Sequence, residues 1–224
     1  MTTFMPSITI PQSFFMSPEA STLLPIAVGT ALGYSMRPTE TQKTYSNLKQ
    51  PPLHPPGWVF GPVWTALYGI MGYAAHRATF AGLSPFNSRA TITKARHGMT
   101  LYSIQLALNL AWMPLFFGLK RPILATIDIL GLIGVNGYLT YLWSTIDETA
   151  AYLQAPYMAW LGFATYLCVG SGYLNNWDLS EETPAKRSDR PPRRSERTER
   201  TERNDRSERS DRAERGDRGE RRRK

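Results

Sequence analysis

The chain has 224 residues, a net charge of +8 and a pI near 9.7, but the charge is unevenly distributed. Residues 1–184 contain 9 Lys and Arg against 8 Asp and Glu, whereas residues 185–224 contain 17 against 10. The basic excess therefore belongs almost wholly to the C-terminal tail. The single cysteine excludes an intrachain disulfide and any zinc site built from several cysteines.

The N-terminal residues 1–19 mix Thr, Ser, Pro and aromatic side chains, and we expect them to be disordered. An apolar segment follows at about residues 20–36, interrupted by Pro25. Gly29 and Gly33 within it form a small-xxx-small step, which is typical of closely packed membrane helices. We predict that this segment is the first membrane span.

A proline-rich stretch at residues 51–56 separates the first span from the second. Its four prolines fix φ and disfavour helix in the residues before them, so this stretch is a stiff loop. Residues 58–80 are then almost wholly apolar, with aromatic rings near the start, as in a helix entering a bilayer. The loop and the aromatic face of Trp64 and Tyr68 indicate either part of a ligand site or an interfacial aromatic belt.

Three more spans are predicted at residues 97–118, 122–143 and 154–175. These stretches have about the 20 residues needed to cross ~30 Å of hydrocarbon. The predicted fold class is therefore an all-α membrane protein, a bundle of five transmembrane helices. The distribution of Lys and Arg between its loops predicts a cytosolic C-terminus.

The remaining residues, 178–224, form a low-complexity tail in which arginine recurs every third position from Arg194 to Arg221. This tail has almost no apolar side chains with which to build a core, so we expect it to be disordered. It can alternatively contact anionic lipids or RNA, although the acidic residues beside most arginines weaken both interactions. The chain thus divides into a disordered N-terminus (1–19), a membrane domain (20–177) and a charged tail (178–224).

Polar side chains inside the predicted spans are costly and are candidates for function. Asp128 is either functional or a structural residue bonded to Asn109, to a Trp N–H or to a backbone group of a neighbouring helix. Gln105 and Asn109 either join helices or orient a ligand.

Three tryptophans, Trp64, Trp112 and Trp160, lie in three different spans. Three indoles and a few amides around one cavity suit a large flat apolar ligand with polar edges, such as a tetrapyrrole or a sterol. The three histidines lack metal-ligand spacing, and no nucleophile–base pair or phosphate loop is visible. We expect no metal site and no required cofactor, and binding is favoured over catalysis.

Three motifs carry a resemblance to a known family. They read Pro-Gly-Trp-Val-Phe-Gly-Pro-Val-Trp at 56–64, Gln-Leu-Ala-Leu-Asn-Leu-Ala-Trp at 105–112 and Pro-Tyr-Met-Ala-Trp-Leu-Gly-Phe-Ala-Thr at 156–165. Together with the helix that contains Asp128, they resemble the TspO/MBR family over roughly residues 20–177.

The resemblance implies a five-helix membrane bundle, often dimeric, with a ligand cavity roofed by the first loop. Family members bind porphyrins, haem and, in animals, cholesterol. Eukaryotic members lie mainly in the outer mitochondrial membrane and plant members in secretory membranes. The positions in this chain that correspond to the ligand site are Pro55, Trp64, Tyr68, Asn109, Trp112, Trp160, Ala164 and Leu167.

Two features of the resemblance bear on function. Leu110, Leu124 and Cys168 stand where animal members have Trp, Trp and Asn, so the resemblance does not extend to their drug-binding pharmacology. A cholesterol consensus of Leu or Val, Tyr and Lys or Arg also fails near the end of the fifth span, because no Lys or Arg lies within five residues after Tyr173. We therefore rank a tetrapyrrole above a sterol. Trp64 and Trp160 match two tryptophans that are linked in bacterial relatives to light-dependent porphyrin breakdown. An enzyme of porphyrin degradation is therefore one alternative to a ligand carrier, scavenger or sensor, and a scaffold acting through the tail is another.

Overall fold

The computed structural model describes residues 9–36 and 38–179, and within them the structure is helical without strands. We number the α-helices in chain order: α1 (Gln12–Met16), α2 (Pro18–Ser35), α3 (Pro38–Asn47), α4 (Phe60–Gly82), α5 (Arg89–Met113), α6 (Pro122–Ser144), α7 (Glu148–Leu153) and α8 (Ala155–Leu174). A 3₁₀ turn, Gly57–Val59, precedes α4, and a π turn, Pro114–Gly118, continues α5. The all-α prediction is confirmed for these residues.

Two helices are long and apolar enough to cross a membrane by length and composition. They are α5 with its π turn, Arg89–Gly118, and α6. Along α6 the side chains of Ile123, Ile127 and Leu130 are each more than half exposed, which suits contact with lipid. The number of five spans goes beyond this observation and stays a prediction.

Helix α5 begins earlier than the sequence pattern indicated. We predicted the third span at residues 97–118, but the helix starts at Arg89, so its predicted beginning was wrong. The Ser88 hydroxyl caps the helix by accepting a hydrogen bond from the Thr91 N–H at 3.2 Å. Polar side chains in this first part are compatible with helix because most of them are solvent-exposed, as at Thr93 and Lys94.

The N-terminal segment also differs from the expectation of disorder. Residues 1–8 lie outside the described part, but α1 is helical and Phe15 within it is fully buried. The Phe15 ring meets Tyr102 edge to face at 5.6 Å, and the Phe15 carbonyl lies 2.8 Å from His76 Nδ1. Five helical residues are too few to show a periodic pattern, so the sequence did not reveal this anchored helix.

Close contacts between helices depend on small residues. A side chain at Gly72 of α4 would overlap the Ser21 carbonyl of α2, and one at Gly98 of α5 would come within 2.7 Å of Trp143 Nε1. These glycines let α2 pack on α4 and α5 pack on α6. The main apolar core lies among these helices and α8.

The C-terminal end of the described part extends beyond the predicted domain boundary at 177. Leu179 is buried in an apolar cluster with Phe116, Ala125 and Cys168. Packed structure therefore continues at least to this residue, and the charged tail predicted from 178 lies outside the described residues from 180 onward.

Candidate functional site

A cavity of about 340 Å³ lies between α2, α4 and α5, and we call it the tyrosine cavity. Trp64 and Tyr68 of α4 face Asn109 and Trp112 of α5 across it. Its full lining is Gly29, Thr30, Leu32, Gly33, Phe60, Gly61, Trp64, Thr65, Tyr68, Asn109, Trp112 and Met113. Four of the residues proposed from the sequence are thus brought to one cavity.

The polar groups of this cavity are held by a three-residue chain. The Tyr68 hydroxyl donates to Asn109 Oδ1 at 2.6 Å, and Asn109 Nδ2 donates to the Tyr157 hydroxyl at 2.8 Å. A side chain at Gly29 would overlap the Tyr68 ring, so glycine is what allows the ring to lie against α2. An amide has four hydrogen-bonding positions, so Asn109 keeps capacity toward a ligand.

A second cavity of about 310 Å³ lies beneath α3, and we call it the α3 cavity. Helix α3 and Leu48, just after it, cover one side of this cavity, and α8 forms another side. Its lining is Gly33, Thr41, Gln42, Tyr45, Leu48, Gly57, Phe60, Gly61, Trp64, Trp112, Met113, Phe116, Phe117, Ala164, Leu167, Cys168 and Ser171. Ala164 and Leu167, two further predicted site residues, therefore lie here.

The two cavities adjoin one another along a shared wall. Six residues line both: Gly33, Phe60, Gly61, Trp64, Trp112 and Met113. Rings extend this wall in both directions, because Trp64 lies 5.3 Å from the Tyr68 ring and Trp112 stacks on Phe116 at 5.1 Å. A flat apolar ligand can therefore contact aromatic faces on both sides of the boundary.

Trp160 does not line either cavity but supports the shared wall. Its ring meets Trp64 edge to face at 6.3 Å and Phe60 at 5.8 Å. The indole Nε1 atoms of Trp160 and Trp112 are both buried without a hydrogen-bond partner among the described residues. Trp160 therefore lies behind the cavity surface and contacts the cavity-lining ring of Trp64.

Pro55 also lies outside both linings, and its role in the structure is to hold α3. The Tyr45 hydroxyl donates to the Pro55 carbonyl at 2.6 Å, and the Tyr45 ring meets Phe60 edge to face at 5.5 Å. Burial raises the pKa of the Tyr45 phenol above its ordinary value, which further favours the protonated, donating form.

The two other predicted polar residues lie away from the cavities. Gln105 is fully buried and both its amide atoms lack a partner among the described residues. Asp128 is also buried, and its Oδ2 has no partner there. A bond between Asp128 and Asn109 was one of three partners suggested from the sequence. The structure instead bonds the Asn109 amide to Tyr68 and Tyr157.

Helix α3 is the part of the site that the sequence analysis missed. Its cavity-lining residues Thr41 and Tyr45, with Leu48 just after it, follow the spacing i, i+4, i+7 that marks one face of a helix. This pattern could have been read from the sequence, although it is short and surrounded by charges. No group of three or more potential metal ligands occurs within residues 9–36 and 38–179.

Comparison with known proteins identifies the family of this chain. The sequence model of the TspO/MBR family matches residues 21–174, which include every residue that lines the two cavities. The chain belongs to the TspO/MBR family.

Several members of this family are similar over most of their length. The "Translocator protein homolog" of Schizosaccharomyces pombe is 46% identical over 157 residues, which is 70% of this chain and 90% of that protein. The "Translocator protein" of Bos taurus is 36% identical over 169 residues, 75% of this chain and 91% of the relative. The "Tryptophan-rich protein TspO" of Chlorobaculum tepidum is 35% identical over 143 residues, which is 63% of this chain and 85% of that protein.

Proposed function

We propose that this TspO/MBR protein binds a tetrapyrrole, either a porphyrin or haem, or a related apolar ligand such as a sterol, in the two adjoining cavities. In this role it acts as a membrane carrier, scavenger or sensor. The observation that carries the proposal is the aromatic wall of Trp64 and Trp112 common to both cavities. Each cavity is at the lower end of the ~300–1,000 Å³ range of small-molecule sites, so a broad ligand would occupy both.

The chemistry of the lining favours a tetrapyrrole over a sterol. The indoles of Trp64 and Trp112 and the stacked Phe116 offer flat faces on which a planar macrocycle can stack. Asn109 and Tyr68 supply polar groups at one end of the wall, suited to the edge of such a ligand. Neither lining contains a histidine, so metal-free protoporphyrin is an appropriate probe.

The test is a titration of purified protein with protoporphyrin, followed by tryptophan fluorescence. The double variant Trp64→Phe, Trp160→Phe removes one indole from the wall and the indole that supports it, and we expect affinity to fall about tenfold. Trp58→Phe is the matched control, because Trp58 is 73% exposed and lines neither cavity. Equal affinity of the double variant and the control would contradict the proposed site.

A second candidate function is light-dependent degradation of the porphyrin. The observation favouring it is a row of oxidisable rings, in which Trp64 lies 6.3 Å from Trp160 and 5.3 Å from Tyr68. If bound protoporphyrin keeps its absorption spectrum under illumination in air, the protein is a binder. If the porphyrin absorption is lost with the wild type but not with the double variant, the protein is a porphyrin-degrading enzyme and not only a binding protein.

The proposed membrane arrangement has five spans, corresponding to α2, α4, α5, α6 and α8. The C-terminus would face the cytosol, and the outer mitochondrial membrane is the proposed location, with another endomembrane as the alternative. A homodimer and contact of the tail with anionic lipid or RNA are further proposals. Protease protection of a C-terminal epitope tag in intact organelles tests the orientation, since a tag that resists protease without detergent contradicts it.

A further inference from the structure

We propose that Asn175 is a positioning residue. Its side-chain amide fastens the loop between α3 and α4 to the end of α8 and so holds α3 over the α3 cavity. The cavity opens when this fastening is released. We call the contact between Asn175 and Lys49 the Asn175 clasp. The proposal does not depend on the identity of the ligand.

The clasp is a reciprocal pair of hydrogen bonds between a side chain and a backbone. Asn175 Nδ2 donates to the Lys49 carbonyl at 2.9 Å, and the Lys49 N–H donates to Asn175 Oδ1 at 3.2 Å. The amide thus satisfies both backbone groups of one residue, as a neighbouring strand would. The same Nδ2 also donates to the Ser171 carbonyl at 2.7 Å, which fixes the amide to the last turn of α8.

The chain after α8 is bent in a way that supports this position. Asn176 and Trp177 have positive φ values of 54° and 58°, and the Trp177 N–H donates to the Gly172 carbonyl at 2.7 Å. A bulky residue rarely adopts such a φ. Here the Trp177 ring packs where a side chain at Gly172 would come within 2.6 Å of it. Only glycine at 172 leaves room for the turn.

The fastened loop leads directly into the roof of the cavity. Leu48 and Tyr45, which line the α3 cavity, come just before Lys49 in the chain. Leu48 packs against the same apolar cluster that contains Leu179, four residues after Asn175. The clasp therefore joins the end of the roof to the segment that follows α8.

Two further contacts hold the loop to α8. The Tyr166 hydroxyl donates to the Pro52 carbonyl at 2.8 Å. The buried Pro51 ring lies against Gly170, where an added Cβ would come within 2.8 Å of Pro51 Cγ. These contacts provide independent ways to loosen the same loop.

The fastening is suited to reversible opening. Both hydrogen bonds of the clasp are solvent-exposed, so water competes for their donors and acceptors. Helix α3 has ten residues, and a helix of this length is marginal in water without tertiary contacts. Loss of the clasp should therefore raise the fraction of molecules in which the roof is open.

The native cysteine provides a reporter of this opening. Cys168 is the only cysteine of the chain, it is 2% exposed, and it lines the α3 cavity. The rate at which N-ethylmaleimide modifies it in the full-length protein in detergent thus follows access to the cavity. We expect Asn175→Ala to raise this rate about tenfold, as expected from the loss of two modest hydrogen bonds.

Two more variants and one control complete the experiment. Tyr166→Phe and Gly170→Ala act on the loop through Pro52 and Pro51, and each should also accelerate modification. Asn87→Ala is the matched control. The Asn87 side chain donates to the carbonyls of Ala81 and Gly82 at the C-terminal end of α4, whereas the α3 cavity is lined by the first residues of that helix. It should leave the rate unchanged.

The outcomes separate this proposal from the proposed function. Wild-type modification rates in all three loop variants, each with the wild-type helical circular dichroism spectrum, would overturn the clasp. If Asn175→Ala fails to fold, the result for Tyr166→Phe decides, since this change removes only one hydroxyl. No porphyrin enters the assay, so failure of porphyrin binding would leave the clasp standing.

Discussion

The Tyr68 hydroxyl on α4 donates a 2.6 Å hydrogen bond to the amide oxygen of Asn109 on α5, 41 positions later in the chain. Because Asn109 also donates to Tyr157 on α8, one buried amide joins three helices beside the tyrosine cavity. The stability of the bundle and the shape of the site therefore depend on the same side chain.

Tyr68→Phe should destabilise the protein by about 1–3 kcal/mol, because it leaves Asn109 Oδ1 buried without its donor. The measurement is the free energy of unfolding in detergent, from denaturant titration of the helical signal. Tyr138→Phe is the matched control, since the Tyr138 side chain is 53% exposed. Equal stability of the two variants would show that the bond contributes nothing.

The variants Gly29→Ala and Gly33→Ala test helix packing and cavity volume separately. A Cβ at Gly29 would overlap the Tyr68 ring, so we expect this variant to lose about 1–3 kcal/mol through overpacking. A Cβ at Gly33, one helical turn later, meets no atom within 4 Å, so that variant should keep wild-type stability. Since Gly33 lines both cavities, its methyl group should instead weaken protoporphyrin binding.

Both expectations are checked by measuring the free energy of unfolding and the protoporphyrin affinity of each variant on the same preparation. A stable Gly29→Ala protein would mean that the Tyr68 ring moves aside easily. Wild-type affinity of Gly33→Ala would mean that the ligand does not reach this part of the wall.

The helix bounds that the sequence predicted best are those set by proline and apolar length. Helix α6 was predicted at 122–143 and ends one residue later, and α8 was predicted at 154–175 and is one residue shorter at each end. Proline in the first turn marks the start of both helices. Helices α1, α3 and α7 were missed because they are short, and α1 owes its position to contacts distant in the chain, such as Phe15 with Tyr102.

The candidate site was predictable in its residue types but not in its pairings. The sequence proposed Trp64 and Trp112 as site residues because they lie in different spans, and both line the two cavities. It could not tell that Asn109 bonds the tyrosines instead of Asp128, because this depends on how each helix is rotated against its neighbours. Nor could spacing place Trp160 behind Trp64, since a ring supporting a wall and a ring lining it have the same periodicity.

Gln105→Leu and Asn109→Leu should differ in their effect on stability, although both residues are buried amides one turn apart on α5. Gln105 has no partner for either amide atom among the described residues, so replacing it with an apolar side chain of similar volume should be neutral or stabilising. Asn109→Leu strands two tyrosine hydroxyls and should cost about 1–3 kcal/mol for each. Unfolding free energies of both variants check this, and a large loss in Gln105→Leu would reveal a polar partner.

Asp128→Asn tests whether the buried carboxylate is structural or functional. The side chain is 8% exposed, its Oδ2 has no partner among the described residues, and it lines neither cavity. A neutral amide of the same shape removes the cost of burying a charge, so we expect an unchanged or higher melting temperature and unchanged protoporphyrin affinity. Asp147→Asn is the contrasting variant. Asp147 forms an ion pair with Arg77 at 3.0 Å, and its Oδ1 caps α7 by accepting a hydrogen bond from the Thr149 N–H. Asparagine can still cap the helix, so this variant should lower the melting temperature through the loss of the ion pair alone. If Asp128→Asn instead lowers the affinity while keeping the melting temperature, Asp128 acts in ligand binding and the apolar wall alone does not account for it.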